Sequence, residues 1–135
     1  MTATAVSTSA TTNDSFLRLA MRADAVISGL TGVGLVLFAP RVAEMSGTTP
    51  AVEYATGAFF IVFGLAVLAM AARPNVRTWG LLLAVGNVLF TVATVVVVLA
   101  DVWPLTTTGV ALFLGTGVYT LVMADLQYLG IRRLR

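Results

Sequence analysis

Four long apolar runs separated by short polar turns constrain this chain more than any other feature. The uncharged parts of the runs cover residues 25–39, 54–72, 79–100 and 105–124. A helix crosses the roughly 30 Å hydrocarbon core of a bilayer with about 20 mostly apolar residues, whereas barrel strands alternate over about 10 residues. These runs are continuous, so they predict helices even where valine is frequent, at 95–98. The predicted fold class is an all-α membrane protein, an up-down-up-down bundle of four transmembrane helices.

The predicted spans lie at about 16–39, 52–72, 79–100 and 105–131, within a transmembrane domain that covers residues 14–135. Asp14 or Ser15 is the expected N-cap of the first helix, and Pro40 is expected to end it. Residues 41–50 are predicted to form a short loop with room for an interfacial turn. Residues 1–13 are rich in Ser and Thr and carry no charge, which predicts a disordered tail.

Composition narrows the classes of function. The chain is 59% hydrophobic and only 10% charged, which is far from the balance of a soluble domain. It contains no cysteine and no histidine. The usual thiolate and imidazole ligands of metals and haem are therefore missing, as is the commonest general base. We expect no cofactor, no metal site, no catalytic residue and no enzymatic activity.

The arginines predict the orientation. When the four spans are drawn through a membrane, a single arginine, Arg41, falls on one side. The others fall on the opposite side: Arg18, Arg22, Arg73, Arg77, Arg132, Arg133 and Arg135. By the positive-inside rule both termini are cytoplasmic, in the cell (inner or plasma) membrane. The net charge of +2 thus reflects orientation, and we expect no nucleic-acid partner.

Small residues follow helical spacings in the first span, where Ala25, Ser28, Gly29 and Gly32 share a face. Gly80 occupies a comparable position at the start of the third span. Small residues at spacings of four let helix backbones approach closely in a membrane. Gly29, Gly32 and Gly80 are therefore predicted to be helix-packing positions. A nucleotide-binding loop at GLTGVG is rejected because such a loop follows a strand.

Polar residues form a stripe on three of the predicted spans. The members are Asp24, Ser28 and Thr31 on the first, Asn87, Thr91 and Thr94 on the third, and Thr116, Thr120 and Gln127 on the fourth. The stripes either hold the helices together by hydrogen bonds or line a polar pathway, and the first interpretation is favoured. Tyr119 is internal and is expected to form a hydrogen bond between helices.

Asp24 and Asp125 are the carboxylates placed inside predicted helices, and both are expected near the cytoplasmic ends. One interpretation is a clasp between the first and fourth helices, in which Arg22 pairs with Asp125 and Asp24 pairs with Arg132 or Arg133. The other is a proton-coupling or substrate-binding carboxylate, since ionisable residues inside a membrane are usually functional. The clasp is favoured.

Two short motifs carry a family resemblance, namely RADAVISG in the first span and ADLQYLGIRR at the C terminus. On these motifs the chain resembles a group of small bacterial integral membrane proteins of unassigned function. The resemblance implies a four-helix membrane protein with two charged ends, and it brings no activity with it. Small multidrug transporters also have four spans, but they carry an embedded glutamate in the first helix, where this chain has Asp24.

The expected function is that of a non-enzymatic integral membrane protein, a structural or accessory subunit that packs against other membrane proteins. The alternative is a small oligomeric transporter or channel that uses Asp24 or Asp125. The expected partners are the lipid bilayer and either further copies of the chain or a larger membrane complex.

Overall fold

The computed structural model describes the backbone of residues 2–134 and the side chains of residues 14–134. This part of the chain contains helices and no strand: α1 (Thr2–Leu37), α2 (Ala39–Ser46), α3 (Pro50–Ala71), α4 (Val76–Leu99) and α5 (Thr107–Arg132). The segment Asp14–Leu37 of α1 and the whole of α3, α4 and α5 are long and apolar enough to cross a membrane. The predicted all-α membrane bundle is confirmed.

Helix α1 begins earlier than predicted. It starts at Thr2, so neither Asp14 nor Ser15 is its N-cap. The sequence before Gly29 contains no glycine or proline and is rich in alanine, so nothing in it interrupts a helix. The predicted disorder of 1–13 stays a prediction, because Met1 and the side chains of 2–13 lie outside the described residues.

The loop predicted at 41–50 contains the short helix α2. Pro40 lies in its first turn, where the missing N–H of proline leaves no helical hydrogen bond unmade. Gly47 ends the helix with φ of 82°, a left-handed conformation that favours glycine. Pro40 therefore lies inside the first turn of α2, and the break between the two helices falls before it, at Phe38.

The bundle consists of two helical hairpins. Helix α1 packs mainly against α3, and α4 packs mainly against α5. Contacts between α1 and α5 join the first hairpin (α1 and α3) to the second hairpin (α4 and α5). Helices α3 and α4 touch little, although only a short turn connects them. The interior is therefore less filled between α3 and α4 than elsewhere.

Glycines bring the backbones of the first hairpin into contact. A Cβ atom at Gly32 would lie 2.5 Å from the Gly57 carbonyl oxygen, and one at Gly57 would lie 2.8 Å from the Gly32 oxygen. A Cβ atom at Gly64 would lie 2.7 Å from the Ala25 oxygen and 3.2 Å from the Gly29 Cα. Only glycine fits such approaches, as in other small-residue membrane interfaces.

The bundle end that carries all the described arginines except Arg41, here called the arginine end, is tightly packed around Leu17, which is fully buried. A Cβ atom at Gly80 would lie 2.9 Å from the Leu17 Cδ1, so this predicted position packs α4 against α1. Arg18 donates from Nη1 to the carbonyl oxygens of Ala71 (2.6 Å) and Arg73 (2.9 Å). Its N–H groups thereby satisfy carbonyls at and just after the C terminus of α3, where the helix dipole also favours a positive charge.

The opposite end, here called the α2 end, is held by Thr106. Its hydroxyl donates to the Met45 carbonyl oxygen (2.5 Å), and its backbone N–H donates to the Ser46 carbonyl oxygen (3.0 Å). The same hydroxyl accepts a hydrogen bond from the Gly109 N–H (3.0 Å) as the N-cap of α5. The C terminus of α2 is therefore fixed to the start of α5.

Candidate functional site

Asp24 is fully buried and accepts four side-chain hydrogen bonds. Its Oδ1 accepts from Ser28 Oγ (3.1 Å) and Tyr119 OH (2.8 Å). Its Oδ2 accepts from Asn87 Nδ2 (2.9 Å) and Gln127 Nε2 (2.9 Å). Donors on both oxygens are what an ionised carboxylate requires, since it can only accept. We call these five residues the Asp24 network, and they join α1, α4 and α5.

Further hydrogen bonds extend the network between α4 and α5. Asn87 Nδ2 also donates to Gln127 Oε1 (3.0 Å), so both amide hydrogens of Asn87 are used. The hydroxyls of Thr91 and Thr120 lie 2.7 Å apart, and Thr91 Oγ1 lies 2.9 Å from the Gly117 carbonyl oxygen. The polar stripes predicted on the first, third and fourth spans therefore meet in part, whereas Thr31 and Thr116 bond only carbonyls of their own helices.

Asp24 lies deeper than the sequence predicts. Its partner Asn87 lies near the middle of α4, and Tyr119 lies near the middle of α5. Asp24 therefore sits at mid-depth of the bundle and not near the cytoplasmic end, where it was expected. The hydrogen bond predicted for Tyr119 between helices is confirmed.

The ion pairs proposed for the clasp are not formed among the described side chains. Arg22 and Asp125 are both exposed, and the oxygens of Asp24 are occupied by neutral donors. The guanidinium carbon of Arg132 lies 5.9 Å from the centroid of the Tyr128 ring. Long arginine side chains keep their charge in water at a membrane boundary, which takes them away from a carboxylate at mid-depth.

Arg133 also contacts a ring, with its guanidinium carbon 4.4 Å from the centroid of Phe16. One salt bridge is present among the described side chains, between Arg18 and Asp14 at 3.1 Å. Of the predicted clasp residues, the structure brings Asp24 and Asn87 together but leaves Arg22, Asp125 and Arg132 outside the network.

A half-open cavity of about 450 Å³, here called the inner cavity, adjoins the Asp24 network. Aromatic side chains form much of its wall, namely Phe59, Phe60, Phe63, Phe90 and Tyr119. Ser28 and Asn87 also line it, so three of the four donors to Asp24 border the cavity. Asp24 itself lies behind them.

The polar groups of the inner cavity have used their hydrogen-bond donors elsewhere. Ser28 and Tyr119 donate to Asp24. The hydroxyls of Thr31, Thr116 and Thr120 lie 2.8, 2.7 and 3.0 Å from carbonyl oxygens of their own helices and donate within the protein. Among the described side chains, no basic group lines the cavity. The cavity therefore offers acceptor oxygens and aromatic faces to whatever enters it.

The sequence interpretation missed the phenylalanines. Phe59 and Phe63 are one helical turn apart on α3, with ring centroids 6.1 Å apart, and Phe90 of α4 stacks 6.4 Å from Phe59. The spacing of four residues was the available signal. It could not indicate a cavity, because the gap arises from how far α4 stands from α3.

Replacement of Asn87 by leucine tests the network as a source of stability. Asn87→Leu removes a donor to Asp24 and a donor to Gln127. We expect the free energy of unfolding to fall by about 2–3 kcal/mol, because a buried charged acceptor loses a partner. Thr116→Val is the control, since that hydroxyl bonds only a carbonyl of its own helix, and it should change stability by under about 0.5 kcal/mol. Denaturant titration in detergent measures both, and equal losses would contradict the assignment.

No protein-family model, no curated protein and no solved structure matches the chain. Its own residues show a multi-pass integral membrane protein in which three spans enclose a buried carboxylate beside an aromatic cavity.

Proposed function

We propose that this protein is a small non-enzymatic membrane transporter that binds an organic cation in the inner cavity, with Asp24 as the negative charge. One observation carries the proposal: a carboxylate at mid-depth has only neutral partners and stands behind a cavity that offers acceptors.

Charge supports a cationic ligand. A carboxylate in a membrane interior is costly, and such residues usually serve binding or transport. No salt bridge among the described side chains includes Asp24. A cation in the inner cavity would be attracted to it through the hydroxyls of Ser28 and Tyr119, whose oxygens stay able to accept.

Size and wall chemistry support an organic cation. A volume of about 450 Å³ lies in the range of small-molecule sites, about 300–1,000 Å³. Aromatic rings attract cations over their faces, and they also exclude water from the apolar part of a ligand. Gly86 and Gly115 line the same space, and a Cβ atom at either would meet nothing within 4 Å.

We also propose how the bundle is oriented in the membrane and which partner it has. The arginine end faces the cytoplasm, as the positive-inside rule favours, so the α2 end faces outward. Further copies of the chain are the proposed partner, together with the lipid bilayer that covers the exposed apolar side chains of the bundle. On RADAVISG and ADLQYLGIRR we also propose membership of the group of small bacterial membrane proteins of unassigned function.

A series of ligands with one shape and different charge tests the proposal. Phenethylammonium, phenethyl alcohol and 3-phenylpropionate would be titrated into the purified protein by isothermal calorimetry. We expect the ammonium to bind at least about tenfold more tightly than the alcohol, and the carboxylate not to bind measurably. Equal affinity for ammonium and alcohol, or a preference for the carboxylate, would contradict a cation site.

The accessory-subunit interpretation is the second candidate, favoured by the Asp24 network, which needs no ligand to satisfy its hydrogen bonds. The packing glycines Gly32 and Gly80 are occupied within the chain, so a partner would contact other surfaces. Purification in mild detergent from the native membrane, with mass spectrometry of what stays bound, separates the two. A defined complex at fixed stoichiometry supports the subunit, and recovery of this chain alone supports the transporter.

A further inference from the structure

A second cavity of about 470 Å³ lies toward the α2 end and is called the outer cavity. It shares six lining residues with the inner cavity: Thr31, Phe59, Phe60, Phe90, Leu112 and Thr116. The two cavities therefore adjoin, and together they run from mid-depth to the α2 end.

Ser46 lines the outer cavity, and its side-chain hydroxyl has no hydrogen-bond partner among the described residues. It is 2% exposed, and its Oγ is the one buried side-chain nitrogen or oxygen without a hydrogen-bond partner among the described residues. Its carbonyl oxygen is used by the Thr106 N–H, but its hydroxyl is not. Buried polar groups are normally satisfied, so an unsatisfied hydroxyl at a cavity wall calls for a partner, which a water molecule or a ligand N–H in the cavity can supply.

Glu53 lines the same cavity and is 7% exposed. Its Oε1 accepts a hydrogen bond from Thr48 Oγ1 (2.6 Å), and no salt bridge among the described side chains includes it. It lies in the first turn of α3, where the helix dipole favours a negative charge. The outer cavity thus has its own carboxylate with a neutral partner.

The remaining wall of the outer cavity repeats the chemistry of the inner one. Trp103 and Phe113 form an aromatic pair with ring centroids 6.0 Å apart. The hydroxyls of Thr56 and Thr94 donate to carbonyl oxygens of their own helices, at 2.8 and 2.7 Å. Carboxylate, acceptor oxygens and aromatic faces again surround one space.

We propose that the outer cavity is a second binding site for a primary or secondary organic ammonium. Glu53 accepts the N–H donors in a charge-assisted hydrogen bond, Ser46 Oγ accepts another, and the organic part lies against Trp103 and Phe113. The ligand class rests on the proposed function, but the site requires neither Asp24 nor the inner cavity. Its place makes it the first site that a cation from the α2 end meets on its way to Asp24.

Trp103 reports on this site directly. The chain has two tryptophans, and Trp79 lies near the arginine end, so Trp79→Phe leaves Trp103 as the single tryptophan reporter. In that background we expect a saturable change of fluorescence with phenethylammonium. Glu53→Gln should weaken the apparent affinity at least about tenfold, because the ligand loses its counter-charge. Glu44→Gln is the matched control, since Glu44 is an exposed carboxylate at the same end, and it should leave affinity within about twofold.

Ser46→Ala gives a second readout, because it should raise the stability of the protein but lower its affinity for the ligand. It should raise the midpoint of thermal unfolding of the ligand-free protein, because it removes an unsatisfied buried hydroxyl. It should also weaken the binding of phenethylammonium by about three- to tenfold. The affinity for the trimethylated analogue, which has no N–H donor, should be unchanged. Lower stability together with unchanged affinity would overturn the role assigned to Ser46.

The outcomes separate the two sites. A Trp103 response that survives Asp24→Asn supports an outer site independent of the inner one. A response that Glu53→Gln and Glu44→Gln leave equally intact, or that phenethyl alcohol reproduces, overturns the ammonium site and indicates an apolar occupant such as a lipid chain. If Trp103 does not respond while calorimetry shows a charge-selective site that Asp24→Asn removes, the outer site fails and the proposed function stands.

Discussion

We expect calorimetry on the purified Asp24→Asn variant to show that phenethylammonium binds to the inner cavity roughly 70-fold more weakly than it binds to the wild type. An ammonium held about 6.5 Å from a carboxylate, at an effective dielectric constant of about 20, is attracted by about 2.5 kcal/mol. The substitution removes that attraction. It keeps the size of the side chain, so the shape of the cavity is unchanged.

The same substitution should preserve the fold, because the network can accommodate an amide. The new carbonyl oxygen can accept from Asn87 and Gln127, as Oδ2 of Asp24 does. The new NH₂ group can donate to the hydroxyl oxygens of Ser28 and Tyr119, which then accept. Their hydrogens would turn away from position 24 and toward the cavity that both side chains line. We therefore expect the variant to gain affinity for phenethyl alcohol relative to phenethylammonium.

Asp125→Asn is the control for this prediction. Asp125 is exposed on α5, so its substitution removes one negative charge without touching the network. It should leave the affinity for phenethylammonium within about twofold, because exposed charges are screened. If Asp24→Asn is folded by circular dichroism and binds as tightly as Asp125→Asn, Asp24 is not the charge that holds the cation.

Gly32→Ala should lower the free energy of unfolding by about 3 kcal/mol, since overpacking of a close contact costs about 1–3 kcal/mol and occasionally more. The added Cβ would lie 2.5 Å from the Gly57 carbonyl oxygen and 2.9 Å from the Ile61 nitrogen. Both are backbone atoms, so the strain cannot be relieved by rotating a side chain, and α1 and α3 must separate. Denaturant titration in detergent measures the loss.

Gly34→Ala is the matched control on the same helix. A Cβ atom at Gly34 would meet nothing within 4 Å, and alanine is the better helix former by about 1 kcal/mol. We expect this variant to be as stable as the wild type or more stable. Similar losses for Gly34→Ala and Gly32→Ala would show that the close contact between α1 and α3 does not set the effect, because alanine favours the helix at both positions.

The spans could be predicted because their signals are local. Each needs only a run of apolar residues long enough for a bilayer and polar residues at its ends. The helix α2 is not predicted by this signal, because a proline can mark the end of a helix or lie in the first turn of the next one, as Pro40 does. The small-residue face of α1 was also visible, but its partner glycines on α3 were not, since nothing local says which helices meet.

The site was predictable only in part. The polar stripes predict that Asp24 and Asn87 lie on helix faces turned toward other helices, but these residues are 63 positions apart in sequence, and Asp24 and Gln127 are 103 apart. Opposite charge favours arginines as partners of Asp24, but their guanidinium groups stay at the membrane boundary while Asp24 lies at mid-depth. Amides and hydroxyls at the right depth supplied the donors instead.

The division into two hairpins has a consequence for assembly. Of the four groups that donate to Asp24, only Ser28 belongs to the first hairpin, whereas Asn87, Tyr119 and Gln127 all arrive with the second. A first hairpin alone in lipid would hold a carboxylate that accepts from a single donor. Such a poorly satisfied charge is strongly disfavoured in a membrane interior. Joining the second hairpin supplies the missing donors in one step. The buried aspartate thus penalises the first hairpin on its own and favours the completed bundle in the bilayer.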